Sequence, residues 1–134
     1  MLKRKQVAEL LGKSLGWVDR YAQPGGKLEP YGTDANGERE WLPEQLWQYS
    51  EQARETLQEL LKACTRNEDG RHFTQFMAHW HTLERAGLIA IHRPKHHATG
   101  TLYDAQYWEL SLTPTGKAVV QRLSELLEDG YLQG

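Results

Sequence analysis

The sequence predicts an α+β protein, mostly helical, in which two small helix-and-hairpin modules share a long connecting helix. Apolar residues recur at helical spacing after Pro43. On each side of this stretch, helical segments are followed by two strand-like segments around a turn or loop that contains glycine. We therefore expect an N-terminal module over residues 1–42, a connecting helix over 43–65 and a C-terminal module over 66–134.

The connecting helix is predicted to begin at Pro43 and to end at about Cys64. Proline suits the first helical position because an N–H has no intrahelical partner there. Spacings of four and three then alternate along a seam with a single polar member, which is typical of a heptad pattern. The seam consists of Leu46, Ser50, Ala53, Leu57, Leu60 and Cys64. The helix is either a core helix of one domain or also a surface that pairs two copies of the chain.

Length and composition exclude several classes of protein. A chain of 134 residues fits one compact domain or two very small ones. No apolar run approaches the ~20 residues of a membrane span, and the N-terminal residues lack the apolar region of a signal peptide. The single cysteine excludes an internal disulfide, so we expect a cytoplasmic protein.

The first module is predicted to contain two short helices and a hairpin. The first helix covers Lys3–Leu11, and Ser14 is a good N-cap for a second helix over Leu15–Tyr21. Strands over 27–32 and 38–42 then flank a turn that contains Asn-Gly. Gly12 breaks the first helix, so a tight turn joins the two short helices. Two helices joined in this way and followed by a hairpin make a winged helix-turn-helix.

A resemblance to a known family lies in this first module. The runs Gln6 to Ser14, Trp17 to Tyr21 and Gly26 to Leu28 resemble the excisionase and MerR-type winged helix-turn-helix family over about residues 2–50. The resemblance implies DNA binding through the second helix, and the basic N-terminal residues would form a flexible arm on the phosphate backbone. Trp17 also fits a protein-binding anchor. The candidate DNA contacts here are Lys3, Arg4, Lys5, Lys13, Ser14, Trp17 and Arg20.

The second module is predicted to follow the same plan. Apolar residues from Phe73 to Leu83 fall on one face of a helix, and Gly87 ends it. Strands over 88–92 and 106–112 flank a polar loop. Thr113 as N-cap and Pro114 as first-turn proline then open a terminal helix to about Leu127. The polar face of the first helix and the loop supply the candidate DNA contacts Arg71, Gln75, His79, Thr82, Arg85, Arg93, Lys95, His96 and His97.

The second module also resembles a known group. The runs Leu83 to Ile89 and Leu110 to Lys117 resemble the MarR and PadR groups of winged-helix regulators over about residues 72–127. The resemblance implies a helix that reads DNA and a dimer built by terminal helices. The candidate dimer interface is Leu46, Ala53, Leu57, Leu60, Val119, Leu123, Leu126 and Leu127.

Charge is distributed unevenly, although the formal net charge is only −2. Residues 1–30 and 71–100 each carry a net charge of +3, while residues 31–70 carry −5 and residues 101–134 carry −3. Each basic block contains a candidate recognition helix, which is the pattern of a nucleic-acid-binding surface.

Catalysis and metal binding are not expected. The sequence contains no nucleophile elbow, phosphate-binding glycine loop or His-Glu zinc motif, so we expect no enzyme. His92, His96 and His97 cluster near the second hairpin loop, but no cysteine or carboxylate stands beside them at metal-ligand spacing. We expect neither a metal nor another cofactor.

These observations predict a homodimeric protein that binds double-stranded DNA. Its role would be transcriptional regulation, or an architectural task in a phage or mobile element such as excision or replication control. We expect the second module, with Gln75 on its recognition helix, to discriminate between DNA sequences. The alternative is a protein-interaction adaptor or antirepressor that uses the same fold without reading DNA.

Overall fold

The computed structural model of the protein describes residues 1–66, 72–73, 79–102 and 108–133. Helices and small antiparallel sheets make up these regions, which confirms the mostly helical α+β class. In chain order the elements are β1 (Leu2–Lys3), α1 (Arg4–Leu11), α2 (Leu15–Tyr21), β2 (Gly32–Thr33), β3 (Arg39–Trp41), α3 (Pro43–Tyr49), α4 (Glu51–Arg66), β4 (His72–Phe73), α5 (Trp80–Arg85), β5 (Ile89–His92), β6 (Glu109–Leu112) and α6 (Pro114–Glu128).

The first sheet joins β1 to the hairpin of β2 and β3. Its strand order is β1–β3–β2, both pairs are antiparallel, and Leu2 lies opposite Trp41. The predicted helix start at Lys3 is wrong by one residue, because pairing with β3 makes Lys3 a strand residue. The predicted strand start at Lys27 is also wrong, since turns occupy that segment and β2 begins only at Gly32.

Helices α1 and α2 are joined by the tight turn that the sequence predicts. Gly12 ends α1 with a φ of 67°, a left-handed conformation that favours glycine. The Ser14 hydroxyl oxygen accepts a hydrogen bond from the Trp17 N–H at 3.1 Å. This bond confirms Ser14 as the N-cap of α2, which runs from Leu15 to Tyr21 as predicted.

The predicted single helix from Pro43 to Cys64 is wrong, because the chain bends at Ser50. Helix α3 ends at Tyr49 and α4 begins at Glu51, while Ser50 is extended with φ −132° and ψ 126°. The Ser50 hydroxyl oxygen accepts a hydrogen bond from the Ala53 N–H at 3.2 Å, the N-cap arrangement that serine favours. The one polar member of the heptad pattern therefore marks a helix boundary.

The second sheet repeats the strand order of the first. It is antiparallel with the order β4–β6–β5, and Phe73 lies opposite Leu110. The predicted helix from Phe73 to Leu83 is wrong at its start, because backbone pairing with β6 makes this segment strand β4. Helix α5 begins at Trp80, and residues 74–78 lie outside the described residues.

Two short motifs of the second module meet where α6 begins. The Thr113 hydroxyl oxygen accepts a hydrogen bond from the Gly116 N–H at 3.0 Å, and the same hydroxyl donates to the Gly87 carbonyl at 2.5 Å. A Cβ on Gly116 would lie only 1.9 Å from the Leu88 carbonyl oxygen, so glycine is required at this crossing. The predicted N-cap at Thr113 and the first-turn proline at Pro114 are both confirmed.

The two modules are packed against each other, and their buried side chains form one hydrophobic cluster. Helix α1 of the first module contacts both α4 and α5. The Gln6 side-chain amide donates to the Ala86 carbonyl at 2.8 Å, and Arg85 forms an ion pair with Glu9 at 3.0 Å. The α1–α5 contact therefore combines apolar packing with a hydrogen bond and an ion pair.

The predicted dimer interface lies largely inside the chain. The fully buried members of that set are Leu46, Ala53, Leu57, Leu60, Val119 and Leu123. Leu126 and Leu127 are partly buried against the same core. Packing within one chain thus accounts for Leu46, Ala53, Leu57 and Leu60 of the heptad seam, which are not a free pairing surface. The homodimer stays a prediction.

Candidate nucleic-acid interface

Helix α2 presents a cation to solvent near each of its ends. Lys13 immediately precedes the N-cap, and Arg20 lies in the last turn. Both residues are exposed, and neither forms an ion pair with a residue that the structure describes. Ammonium and guanidinium groups of this kind donate hydrogen bonds to phosphate oxygens. The prediction that these two side chains face solvent is confirmed, and DNA binding itself stays a prediction.

Trp17, in the first turn of α2, belongs to an aromatic cluster. Its ring centroid lies 4.4 Å from that of Tyr21 and 6.4 Å from that of Tyr49, the latter edge to face. The Lys13 Nζ lies 5.4 Å from the Trp17 ring centroid, within the range of a cation–π interaction. Trp17 therefore packs with two tyrosines instead of projecting alone into solvent.

Asp19 connects α2 to the two elements beside it. Its carboxylate accepts hydrogen bonds from Arg4 Nε at 2.8 Å and Arg4 Nη2 at 2.5 Å, and another from Arg39. The Arg4 and Arg39 guanidinium groups favour the charged carboxylate and lower the pKa of Asp19 to about 2. One carboxylate thus holds the orientation of α2 against α1 and β3.

The predicted flexible basic arm at the N-terminus is wrong, because its residues belong to ordered elements. Lys3 lies in β1, with its Nζ 2.6 Å from Asp34 and 3.3 Å from Glu40. Arg4 begins α1 and is held by the carboxylate of α2 described above. Lys5 is exposed and forms no ion pair with a described residue, so it alone of the three offers a free ammonium group.

An open cleft of about 380 Å³ separates the start of α1 from the first hairpin. Most of its charged lining is basic, but three of the four cations already bind carboxylates. Lys5 is the cation of this cleft that has no ion pair among the described residues. The lining residues are Lys3, Arg4, Lys5, Leu15, Gly37, Glu38 and Arg39.

Two predicted DNA-contacting arginines of the second module are held by internal ion pairs. Arg93 donates two hydrogen bonds of 2.9 Å to Glu84 and lies 4.9 Å from the Trp108 ring centroid. The Arg93 guanidinium lowers the pKa of Glu84. Arg85 is paired with Glu9 across the α1–α5 contact. Arg85 of the predicted recognition helix and Arg93 of the predicted wing thus both have carboxylate partners within the chain, and their contact with DNA stays a prediction.

The remaining candidates on the predicted second recognition helix are His79, Thr82, Arg71 and Gln75. His79 is not a helix residue: it precedes α5 with a φ of 65°, a left-handed conformation. Thr82 lies within α5 but is only partly exposed. Arg71 and Gln75 lie outside the described residues.

The loop of the second hairpin exposes the basic residues predicted there. Lys95 and Leu102 form an isolated antiparallel bridge, and the His96 N–H donates to the Thr101 carbonyl at 2.9 Å. Lys95, His96 and His97 are all exposed. Lys95 has no ion-pair partner within the described part of the chain. Among the described residues of the second module, this loop is the best candidate for contact with phosphates.

Sequence reasoning missed a second cavity, beside the aromatic cluster of α2. The cavity has a volume of about 410 Å³ and is lined by Lys27, Gln45, Gln48 and Tyr49. Lys27 is exposed and, among the described residues, has no ion-pair partner. The available signal was the basic residue directly after the Gly-Gly turn that follows α2. The sequence could not place Gln45, Gln48 and Tyr49 at this cavity, because no periodicity indicated the bend at Ser50 that ends α3.

The described ranges, which exclude 67–71, 74–78, 103–107 and 134, contain no group of three His, Cys, Asp or Glu residues arranged to hold a metal ion. None of the helices there is both long and apolar enough to cross a membrane.

Comparisons of the chain with protein-family models, with curated proteins and with solved structures found no match.

Proposed function

We propose that the protein binds double-stranded DNA through two winged-helix modules, with the first module supplying most of the backbone contacts. Each module contains a strand, a helical segment and a hairpin, and both sheets place the first strand beside the third. In the first module, the helix that precedes the hairpin is α2, with exposed cations near both of its ends. This arrangement supports a helix-turn-helix with a wing.

The observation that carries the proposal is the position of the free cations in the first module. Lys5, Lys13, Arg20 and Lys27 are exposed and have no ion pair with a described residue. They lie on α1 beside the cleft, at both ends of α2 and in the turn after it. Lysine and arginine groups concentrated around one helix are suited to the negative charges of a DNA backbone.

The mechanism follows from the way these cations are carried. The Asp19 bridge to Arg4 and Arg39 fixes α2 against α1 and β3, so the backbone that carries Lys13 and Arg20 needs little rearrangement on binding. Phosphate contacts release condensed counterions, so affinity falls as salt rises. The proposed roles are transcriptional regulation, or excision or replication control in a phage or mobile element.

Arg20→Ala provides the first test. Fluorescence anisotropy with a random duplex at several salt concentrations should show weaker binding and a salt slope smaller by about 1, because one phosphate contact is lost. Lys62→Ala is the matched control: its ammonium is also exposed, but it lies on α4. Absence of duplex affinity in the unaltered protein at low salt would overturn the proposal.

A protein-interaction adaptor is the second candidate, and the apolar exposure of α2 favours it. Leu15 is 40% exposed and Tyr21 is 48% exposed, which suits a surface that buries rings against a partner. The same titration separates the two functions, because an adaptor would show no salt-dependent affinity for random duplex.

A further inference from the structure

The aromatic cluster of α2 continues into the cavity beside it and has a cation at each end. Lys13 contacts the Trp17 ring, Trp17 contacts Tyr21 and Tyr49, and Tyr49 lines the cavity together with Lys27. We call these five residues the aromatic strip. Almost half of the Tyr21 surface is exposed, so a planar group has access to this ring.

The cavity at the end of the strip is lined by polar and cationic groups without a carboxylate. The Gln45 side chain is already used, since its amide donates to the Glu29 carbonyl and its oxygen accepts from the Leu42 N–H, both at 2.7 Å. Gln48 is exposed and lines the same cavity. An amide, a phenol and an ammonium group together can bind the polar edge of a base and a phosphate.

We infer that the aromatic strip binds unpaired bases of a nucleic-acid strand. In a regular duplex the faces of the bases are covered by their neighbours, so tyrosine rings gain little from it. An unpaired base has free faces that stack on aromatic side chains, while cations follow the backbone. The inference rests on the proposed function, because it specifies which form of DNA the first module prefers.

Charge favours a nucleic acid over a protein as the occupant of the strip. Both of its cations are free of ion pairs with described residues. The nearby Asp19 carboxylate is already bound by Arg4 and Arg39. Two ammonium groups without ion pairs to described residues therefore lie beside the rings, and a single strand matches both features at once.

The experiment compares three DNA ligands of equal length: a full duplex, the same duplex with a central bubble of unpaired thymines, and a single strand. Anisotropy at fixed salt should show tighter binding to the bubble than to the full duplex. Equal affinity for the two would overturn the inference and leave the proposed function standing. Binding to the single strand alone would support the inference and overturn the duplex proposal, while no binding to any ligand would overturn both.

Variants of Tyr21 assign the effect to the strip. Tyr21→Ala should weaken bubble binding about 5-fold to 150-fold, the range expected for loss of one stacked base. Tyr21→Phe keeps the ring and should retain the affinity. Tyr31→Ala is the matched control, because Tyr31 is 68% exposed and lies outside the strip.

The fold of each variant is checked by its thermal unfolding transition. A folded Tyr21→Ala protein that binds the bubble as tightly as the Tyr31→Ala protein would contradict the inference. If Tyr21→Ala fails to fold, Lys27→Gln tests the same site, since Lys27 is an exposed turn residue. Unchanged bubble affinity in that variant would then overturn the inference.

Discussion

The two modules have the same strand order, and each contains an ion pair between its helix and its hairpin, yet they use their other cations differently. In the first, Asp19 of α2 binds Arg39 of the hairpin, and Arg39 lies 5.4 Å from the Trp41 ring centroid. In the second, Glu84 of α5 binds Arg93 beside β5, and Arg93 lies 4.9 Å from the ring of Trp108. A carboxylate, an arginine and a tryptophan thus connect helix to hairpin in both.

The difference lies in the cations that remain after these pairs form. The first module keeps Lys13 and Arg20 free of ion pairs with described residues around its exposed helix, whereas α5 packs against α1 and uses Arg85 to bind Glu9. Similar topology therefore does not imply a similar surface. We therefore expect the first module to make most contacts with the DNA backbone, and sequence discrimination by the second module stays a prediction.

The largest expected effect comes from a helix glycine that the second module needs. Gly116→Ala places a Cβ 1.9 Å from the Leu88 carbonyl oxygen, so α6 must move away from the chain beneath it. The free energy of unfolding should fall by about 1–3 kcal/mol or more, which lowers Tm by about 3–5 °C for each kcal/mol.

Gly16→Ala in α2 is the matched control for that substitution. A Cβ on Gly16 would meet only the Ser14 hydroxyl oxygen, at 4.0 Å, and alanine favours a helix. Thermal unfolding should show an unchanged or raised Tm, because the free energy of unfolding should rise by up to ~1 kcal/mol. Equal losses of Tm in both variants would contradict the explanation that the close approach of Gly116 to the Leu88 carbonyl oxygen requires glycine in α6.

A smaller effect should separate free cations from paired ones. The double variant Lys13→Ala/Arg20→Ala should lower the salt slope of duplex binding by about 2, because two phosphate contacts are lost. Arg85→Ala/Arg93→Ala should leave that slope unchanged, since Glu9 and Glu84 already occupy those arginines. If the anisotropy titration showed a lower slope for Arg85→Ala/Arg93→Ala and an unchanged slope for Lys13→Ala/Arg20→Ala, the second module would make the main contacts.

The smallest effect concerns acid stability, because Asp19 is partly exposed and solvent screens its ion pairs. A carboxylate with a lowered pKa stabilises the folded state above its ordinary pKa of 3.8, and this contribution is lost as pH falls toward about 2. Asp19→Asn should therefore make Tm less dependent on pH between about 4 and 2. A pH dependence of Tm identical to that of the unaltered protein would show that the bridge adds nothing to stability.

Local signals in the sequence predicted some parts of the fold well. Ser14 and Thr113 were identified as N-caps because a cap depends on a hydroxyl and an N–H within three residues. Strands β1 and β4 were not predicted, because each contains only two residues and forms only by pairing with a strand far along the sequence. The break at Ser50 was missed because the apolar periodicity continues across it.

The candidate site was harder to predict, since the important question was which cations are free. Residue type identified Lys13, Arg20 and Lys95 as candidate cations, and all three are exposed in the structure. The pairing of Arg85 with Glu9 joins residues 76 positions apart, and no local pattern shows such a contact. Sequence patterns thus identify charged residues, but only the packed structure shows which of them have been neutralised.

The contact between α1 and α5 has a consequence for the spacing of any target site. Gln6 binds the Ala86 carbonyl and Glu9 binds Arg85, so the two modules are separated by a set distance and angle. One base pair inserted between two contacted DNA segments shifts them by about 3.4 Å and rotates them by about 35°. The chain can follow that change only by disrupting the hydrophobic cluster that the two modules share. If both modules contact one duplex as proposed, we therefore expect the protein to favour one separation of the two contacted segments.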